Sequence, residues 1–194
     1  LPDMPSSPLH WHLADRQKAV VIEPTAEGMK VWEDPVGVLT NNPTFDFHLT
    51  NLNQYMGLSA AQPENRLGGP GLRPFGQGMG GLGLPGDWSP ASRYVRAAFL
   101  KWNSACAPDV LSSVSQFFHI LDAVSMPRGA VRTPEGKWDI TDYTCCIDGT
   151  TGTYYYKTYD NSQITAVPMD EARREGSALI CRSLVTTQQI RVED

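Results

Sequence analysis

Short apolar runs broken by polar turns fill the first forty residues. Stretches 9–15, 18–24, 29–32 and 36–39 are rich in Val, Ile, Leu and Trp, and Ala-Glu-Gly and Glu-Asp-Pro are among the breaks between them. Runs of this length and composition predict a meander of short strands. From Phe45 the period lengthens, because Phe45, Leu49, Leu52, Tyr55 and Met56 recur at three- and four-residue intervals. That spacing predicts a short helix after the Asn-Asn-Pro turn, with Thr44 as its cap. Further on, Ser89 followed by Pro90 opens a helix running to about residue 104. Val110, Leu111, Val114, Phe117, Phe118, Leu121 and Val124 give a second helix a broad apolar face. Residues 142–147 and 153–159 flank an Asp-Gly-Thr-Thr-Gly turn and predict a hairpin, with further strands expected at 163–167 and 178–185. Strands, then helices, then strands fit an α+β fold with antiparallel sheets.

Residues 57–88 interrupt this regularity with a long connection rich in Gly and Pro. A loop of that length inside a compact domain is uncommon and is usually functional or disordered. Within it, Gly78-Met-Gly80-Gly-Leu-Gly83 formally matches a dinucleotide fingerprint. No strand leads into the match and a Leu-Pro-Gly-Asp break follows it, so the glycines are read as loop residues. No internal repeat is visible.

Composition narrows the class. The chain has 194 residues, 41% of them hydrophobic and 19% charged, enough for one domain with a buried core. The net charge of -5 is spread without a basic stripe, which argues against a nucleic-acid binder. No apolar run approaches bilayer length, and the first residues lack the basic and apolar regions of a signal peptide, so no membrane partner and a cytoplasmic location are expected. Cys106, Cys145, Cys146 and Cys181 show neither a CxxC spacing nor a disulfide-rich density and read as structural thiols. Adjacent Cys145 and Cys146 would point to opposite faces of a strand. His10 and His12 would share a strand face, but no third ligand is spaced to complete a metal site, and neither metal nor cofactor is expected. His48 and His119 fall within apolar helical patterns and are expected to be packed or hydrogen-bonded, and the tyrosines at 154–156 and 159 read as cross-strand packing.

Two residues stand out as candidates for chemistry. Taken alone, Asn41-Asn42-Pro43 is a turn, since the residue before proline is pushed out of helix and Asn tolerates unusual backbone angles. Arg93 sits in the first turn of its predicted helix, where a positive charge opposes the helix dipole. Local helix stability does not account for it there, although a solvated arginine with Arg96 as neighbour is the plainer reading.

The stretch from Val36 to His48, continued through Leu-Thr-Asn-Leu-Asn-Gln to Tyr55, and the stretch from Leu84 to Leu100 containing Pro90-Ala-Ser-Arg93 resemble two signature stretches of the choloylglycine hydrolase family. That family contains the bile salt hydrolases and penicillin V acylases, which cleave a side-chain amide with an N-terminal cysteine. The resemblance implies an N-terminal-nucleophile hydrolase fold, a four-layer αββα sandwich of which residues 1–194 would be the C-terminal portion. It implies that Asn41 donates its amide N–H in the oxyanion hole and that Arg93 sits beside the nucleophile, where a cation favours the thiolate. It places Met4 and Leu9 as apolar pocket residues that could equally be core. The stretch Gly76-Gln77-Gly78 would lie in a loop, 57–88, that borders the amino-acid end of the substrate and contacts a neighbouring subunit of a homotetramer.

The chain begins with Leu1, which has neither thiol nor hydroxyl. The resemblance therefore implies that the nucleophilic cysteine, its α-amine as base, and a further Arg, Asp and Asn belong to a missing N-terminal portion, and that this chain alone is inactive. Conjugated bile salts are the favoured substrate, hydrolysed at the glycine or taurine amide. Penicillin V or a related N-acyl amide is the alternative. A non-catalytic fragment that holds a steroid-like ligand or a partner is the reading from another class.

Overall fold

A computed structural model of the chain describes residues 9–169 and 175–193, and Met4 lies outside them. The chain forms two compact units, one up to Asn103 and the other from Ser104.

The first unit opens with an antiparallel sheet of β1 (Trp11–Ala14), β2 (Ala19–Thr25) and β3 (Gly28–Glu33) in sequence order. Register decides what each face carries. His12, Val21 and Trp32 are cross-strand partners on one face, while Trp11, Ile22 and Val31 are partners on the other. Val21 is fully buried in a core with Val36, Phe45, Tyr94 and Ala98, against which Trp32, Val38, Leu39, Leu49 and Leu52 pack. On the opposite face Trp11, Leu13, Met29 and Val31 are exposed, which leaves an open apolar surface.

The helix expected after the Asn-Asn-Pro turn is α1 (Phe45–Asn51), continued by a short 3-10 turn over Leu52–Tyr55. Thr44 is its N-cap residue, but its hydroxyl donates to the Asp46 carboxylate at 2.5 Å and makes no bond to the helix backbone. The next helix, α2 (Pro90–Trp102), is capped as expected: Ser89 Oγ accepts from Ser92 N at 3.4 Å, and Pro90 occupies the first turn. Asp87 reinforces this end by accepting from Ser89 N at 2.9 Å and Ser92 Oγ at 2.6 Å. The Ser89 and Ser92 bonds hold the Asp87 carboxyl well below the usual carboxylate range.

One expected strand is absent. Residues 36–39 form no ladder because the Asp34 carboxylate accepts from Val36 N and Gly37 N at 2.8 Å each and from Val38 N at 3.0 Å. A side chain thus captures the donors a neighbouring strand would have taken. Gly37 is required in this turn, since its φ of 67° is left-handed.

The 57–88 connection is irregular apart from a short 3-10 turn at Met79–Gly81. It carries its own pins: Ser59 N donates to Gly80 O at 2.9 Å, and Gln62 Nε2 donates to Gly76 O and Gln77 Oε1 at 2.9 Å each. A Cβ on Gly80 would lie 2.0 Å from Ala61 O, so this close backbone approach requires glycine. Neither a strand before the GxGxxG match nor an α-helix directly after it is present.

The second unit begins with α3 (Val110–Asp122), capped by Asp109, whose Oδ1 accepts from Ser112 N at 2.9 Å. A two-residue ladder pairs β4 (Val131–Arg132) with β5 (Trp138–Asp139). The expected hairpin is β6 (Tyr143–Asp148) and β7 (Thr153–Thr158), extended by β8 (Asn161–Val167) into an antiparallel sheet. Its turn closes through Gly152 N to Asp148 O at 2.8 Å. Val114, Phe118 and Tyr155 form the core, with Cys146 packed against it, and burial pushes the Cys146 thiol up to about 11. All four cysteines are free.

Two expectations fail in this unit. Residues 178–185 form no strand: Val185 is held instead by side chains, its N–H donating to Tyr156 Oη at 3.1 Å and its carbonyl accepting from Thr158 Oγ1 at 2.9 Å. His119 is not packed but exposed, because the buried stripe of α3 runs through Val114 and Phe118 and leaves position 119 on the other side. The tyrosines act partly through their hydroxyls, since Tyr159 Oη also accepts from Arg128 N at 2.8 Å.

Candidate active site

Asn41 lies on the irregular segment between β3 and α1, and that segment is fixed at both ends by buried carboxylates. Asp34 gathers residues 36–38, and Glu23, inward-facing on β2, accepts from Phe45 N at 2.9 Å where α1 begins. Two histidines face these acids from β1 and its approach. His12 Nε2 is 3.0 Å from Asp34 Oδ2, and His10 Nδ1 is 3.6 Å from Glu23 Oε1. Among the described residues no cluster of three His, Cys, Asp or Glu side chains could hold a metal ion.

Between these anchors, Thr40 Oγ1 donates to Pro90 O at 3.2 Å and ties the segment to the start of α2. The Asn42–Pro43 peptide is cis. Arg93 reaches across from α2, its Nη2 donating to Asn41 Oδ1 at 2.8 Å and its Nε to Trp88 O at 3.0 Å. Residues 52 positions apart are thereby in direct contact. The chemistry of this pair follows from what each group can do. A guanidinium only donates, so the Asn41 amide must turn its oxygen to Arg93, and its Nδ2 protons then point elsewhere. The arrangement presents an oriented amide donor next to a fixed positive charge, the requirement for stabilising an oxygen that becomes negative.

Arg96, one turn on from Arg93, is buried. It is 7% exposed, and its Nη1 donates to Pro85 O at 2.7 Å and Asp87 O at 2.6 Å, holding the approach to α2. Burial pushes its pKa down from the ordinary arginine value. Leu9 is 52% exposed in this chain. Gly76, Gln77 and Gly78 are exposed in the long loop, where Gln77 is bonded to Gln62.

Two acids of this site escaped sequence reasoning. Glu23 was detectable as an acid at a core-facing position of an apolar strand, and Asp34 as an Asp-Pro-Val-Gly turn. His48, expected to be packed or hydrogen-bonded, is both: it is fully buried on α1 with Nε2 2.9 Å from Asn41 O, a link to the site that its helical spacing did not signal.

The sequence profile of the linear amide C–N hydrolases, choloylglycine hydrolase family, matches residues 2–182. The chain is 48% identical over 187 residues to the bile salt hydrolase/transferase of Lactiplantibacillus plantarum, covering 96% of this chain and 58% of that protein. It is 40% identical over 179 residues to the conjugated bile acid hydrolase of Lactobacillus acidophilus, covering 90% of this chain and 56% of the relative. A crystal structure of a mutant conjugated bile acid hydrolase from Clostridium perfringens superposes with a TM-score of 0.86 at 44% identity, covering 97% of this chain and 58% of that one. Penicillin V acylase from Agrobacterium tumefaciens shares the fold at a TM-score of 0.66 and 20% identity, over 84% of this chain and 46% of that one. The chain thus spans somewhat over half the length of the bile salt and conjugated bile acid hydrolases it matches. Its antiparallel sheets and helices are those of the N-terminal-nucleophile hydrolase fold, in the α+β class expected from the sequence. With nearly its whole length matched by the profile, this chain belongs to the choloylglycine hydrolase family of linear amide C–N hydrolases.

Proposed function

We propose that the whole protein hydrolyses the amide bond of glycine- or taurine-conjugated bile salts, and that this chain supplies the oxyanion donor Asn41 with Arg93 beside it. The observation that carries the reading is the 2.8 Å contact from Arg93 Nη2 to Asn41 Oδ1, which turns the Asn41 amide into an oriented donor. A cysteine thiolate from the part of the protein outside this chain attacks the amide carbonyl. As the carbonyl oxygen becomes negative, Asn41 Nδ2 donates to it. The guanidinium fixes that donor and its charge favours the thiolate. The names of the relatives favour conjugated bile salts over penicillin V. Purified whole protein should release glycine or taurine from conjugated bile salts faster than it opens the side-chain amide of penicillin V. Turnover of penicillin V alone would shift the substrate class, and turnover of neither would overturn the reading in favour of a ligand-binding protein.

The open apolar face carrying Trp11, Leu13, Met29 and Val31 supports a larger whole, since a second sheet laid on it would complete a sandwich. Leu9 is exposed, and it is assigned together with Met4 to the apolar pocket a steroid would require. The free cysteines fit a reducing cytoplasm, and among the described residues no helix is long and apolar enough to cross a membrane.

The 57–88 loop is assigned both to assembly and to the substrate border, with Gly76, Gln77 and Gly78 at the amino-acid end of the substrate. Leu67, Phe75 and Leu82 are 87%, 92% and 71% exposed, an apolar surface suited to a neighbouring copy in a homotetramer. Deleting residues 66–80 should give smaller assemblies in light scattering and change the preference between glycine and taurine conjugates. Unchanged assembly size and preference would reduce the loop to a surface connection.

A further inference from the structure

Resting on the reading above, we propose that His48 is a positioning residue for the oxyanion donor, holding the main chain of Asn41 while Arg93 holds its side chain. His48 is fully buried, and its Nε2 lies 2.9 Å from Asn41 O. A carbonyl oxygen only accepts, so the imidazole carries its proton on Nε2 and donates it to the peptide of Asn41. Thr40 Oγ1, 3.3 Å from the same nitrogen, gives its own proton to Pro90 O. The ring stacks on Tyr94 with centroids 4.8 Å apart and planes 18° apart, so it cannot swing away from Asn41 without breaking the core.

The other ring nitrogen marks this as more than packing. His48 Nδ1 is buried and has no hydrogen-bond partner among the described residues, an arrangement that destabilises the folded chain. A phenylalanine would keep the stack on Tyr94 and remove that unpaired nitrogen. What it would lose is the single donor to Asn41, and that bond is the ring's distinguishing service. Asn41 then has two anchors on different helices: α1 fixes its carbonyl through His48, and α2 fixes its Oδ1 through Arg93. The direction of Nδ2 follows from both. Release of the carbonyl lets the peptide turn and carries the donor off the line on which the oxyanion forms.

The test uses the whole enzyme with His48→Phe, which keeps the ring and removes the donor, and His48→Gln, whose side-chain amide can donate to the same carbonyl. His48→Phe should lower kcat by about ten- to a hundredfold, as expected for a catalytic group displaced by an ångström or less. KM should stay within about twofold, because the donation by Asn41 that is disturbed strengthens in the transition state, and thermal stability should not fall, because removal of the unpaired Nδ1 offsets the lost bond to Asn41 O. His48→Gln should recover most of kcat. Parental kcat in His48→Phe, or equal losses in both variants, would overturn the proposal.

A second readout does not depend on turnover. In protein carrying 15N-labelled His and Asn, parental His48 should show a proton on Nε2 and a bare Nδ1, and His48→Phe should shift the Asn41 side-chain amide resonances. If the parent cleaves no bile salt yet these resonances shift, the substrate reading fails and the positioning role stands. Unmoved Asn41 resonances would refute the positioning role whatever the substrate.

Discussion

Replacing Asn41 by alanine in the whole protein should lower kcat for conjugated bile salts, the proposed substrates, by roughly a hundredfold or more while KM changes little. A preorganised amide donor aimed at a developing oxyanion contributes about 3 to 4 kcal/mol to the transition state and little to substrate binding. The exposed position of Asn41 makes the variant a clean one, because the core formed by Val21, Val36, Phe45, Tyr94 and Ala98 is left intact. Asn42→Ala should change kcat by less than about threefold, since its side chain has no part in the proposed donor geometry. Steady-state kinetics on the two variants side by side separate the donor from the turn. Equal losses at both positions would make Asn41 a structural turn residue.

Asp34→Ala should destabilise the whole protein by about 3 to 5 kcal/mol, the largest stability effect expected from a single polar residue in the first unit. The side chain is 0% exposed, and removing it leaves the N–H groups of Val36, Gly37 and Val38 and the ring of His12 without their acceptor. Asp34→Asn keeps one acceptor oxygen but turns an NH2 group toward donors, so it should also destabilise, by roughly half as much. Urea unfolding at neutral pH measures both. A loss below about 1 kcal/mol for Asp34→Ala would show that the 36–38 turn is held by packing instead.

Elements whose stability is local were legible in the sequence. Helices α1 and α3 announced themselves by the spacing of their apolar residues, α2 by its Ser-Pro start, and the β6–β7 hairpin by its Asp-Gly-Thr-Thr-Gly turn. Residues 36–39 and 178–185 were misread for one common reason. Their β-branched composition predicts strands, but Asp34 in one case and Tyr156 with Thr158 in the other take up the backbone groups a ladder needs. The burial of Arg96 was not legible because it depends on carbonyls at Pro85 and Asp87 that bend back over its helix, a geometry no periodicity encodes.

The site was legible only in part. Asn41 and Arg93 emerged from the family resemblance, not from spacing, since nothing in composition links residues 52 positions apart. Their contact changes the reading of Arg93 in physical terms. A charge that seemed misplaced against the helix dipole is held by Asn41 and by the Trp88 carbonyl. The link from His48 to Asn41 stayed hidden because its apolar neighbours gave His48 the pattern of a core residue, which it also is.

The central claim is that Arg93 makes Asn41 an oxyanion donor by orienting its amide, and a double-mutant cycle tests it most directly. kcat/KM for a conjugated bile salt is measured for the whole parental enzyme, Asn41→Ala, Arg93→Ala and the double variant. Groups in direct contact that act as one unit should couple by about 1 kcal/mol or more, so the double variant should be far less impaired than the product of the two single losses. Strict additivity of the two losses would contradict the account.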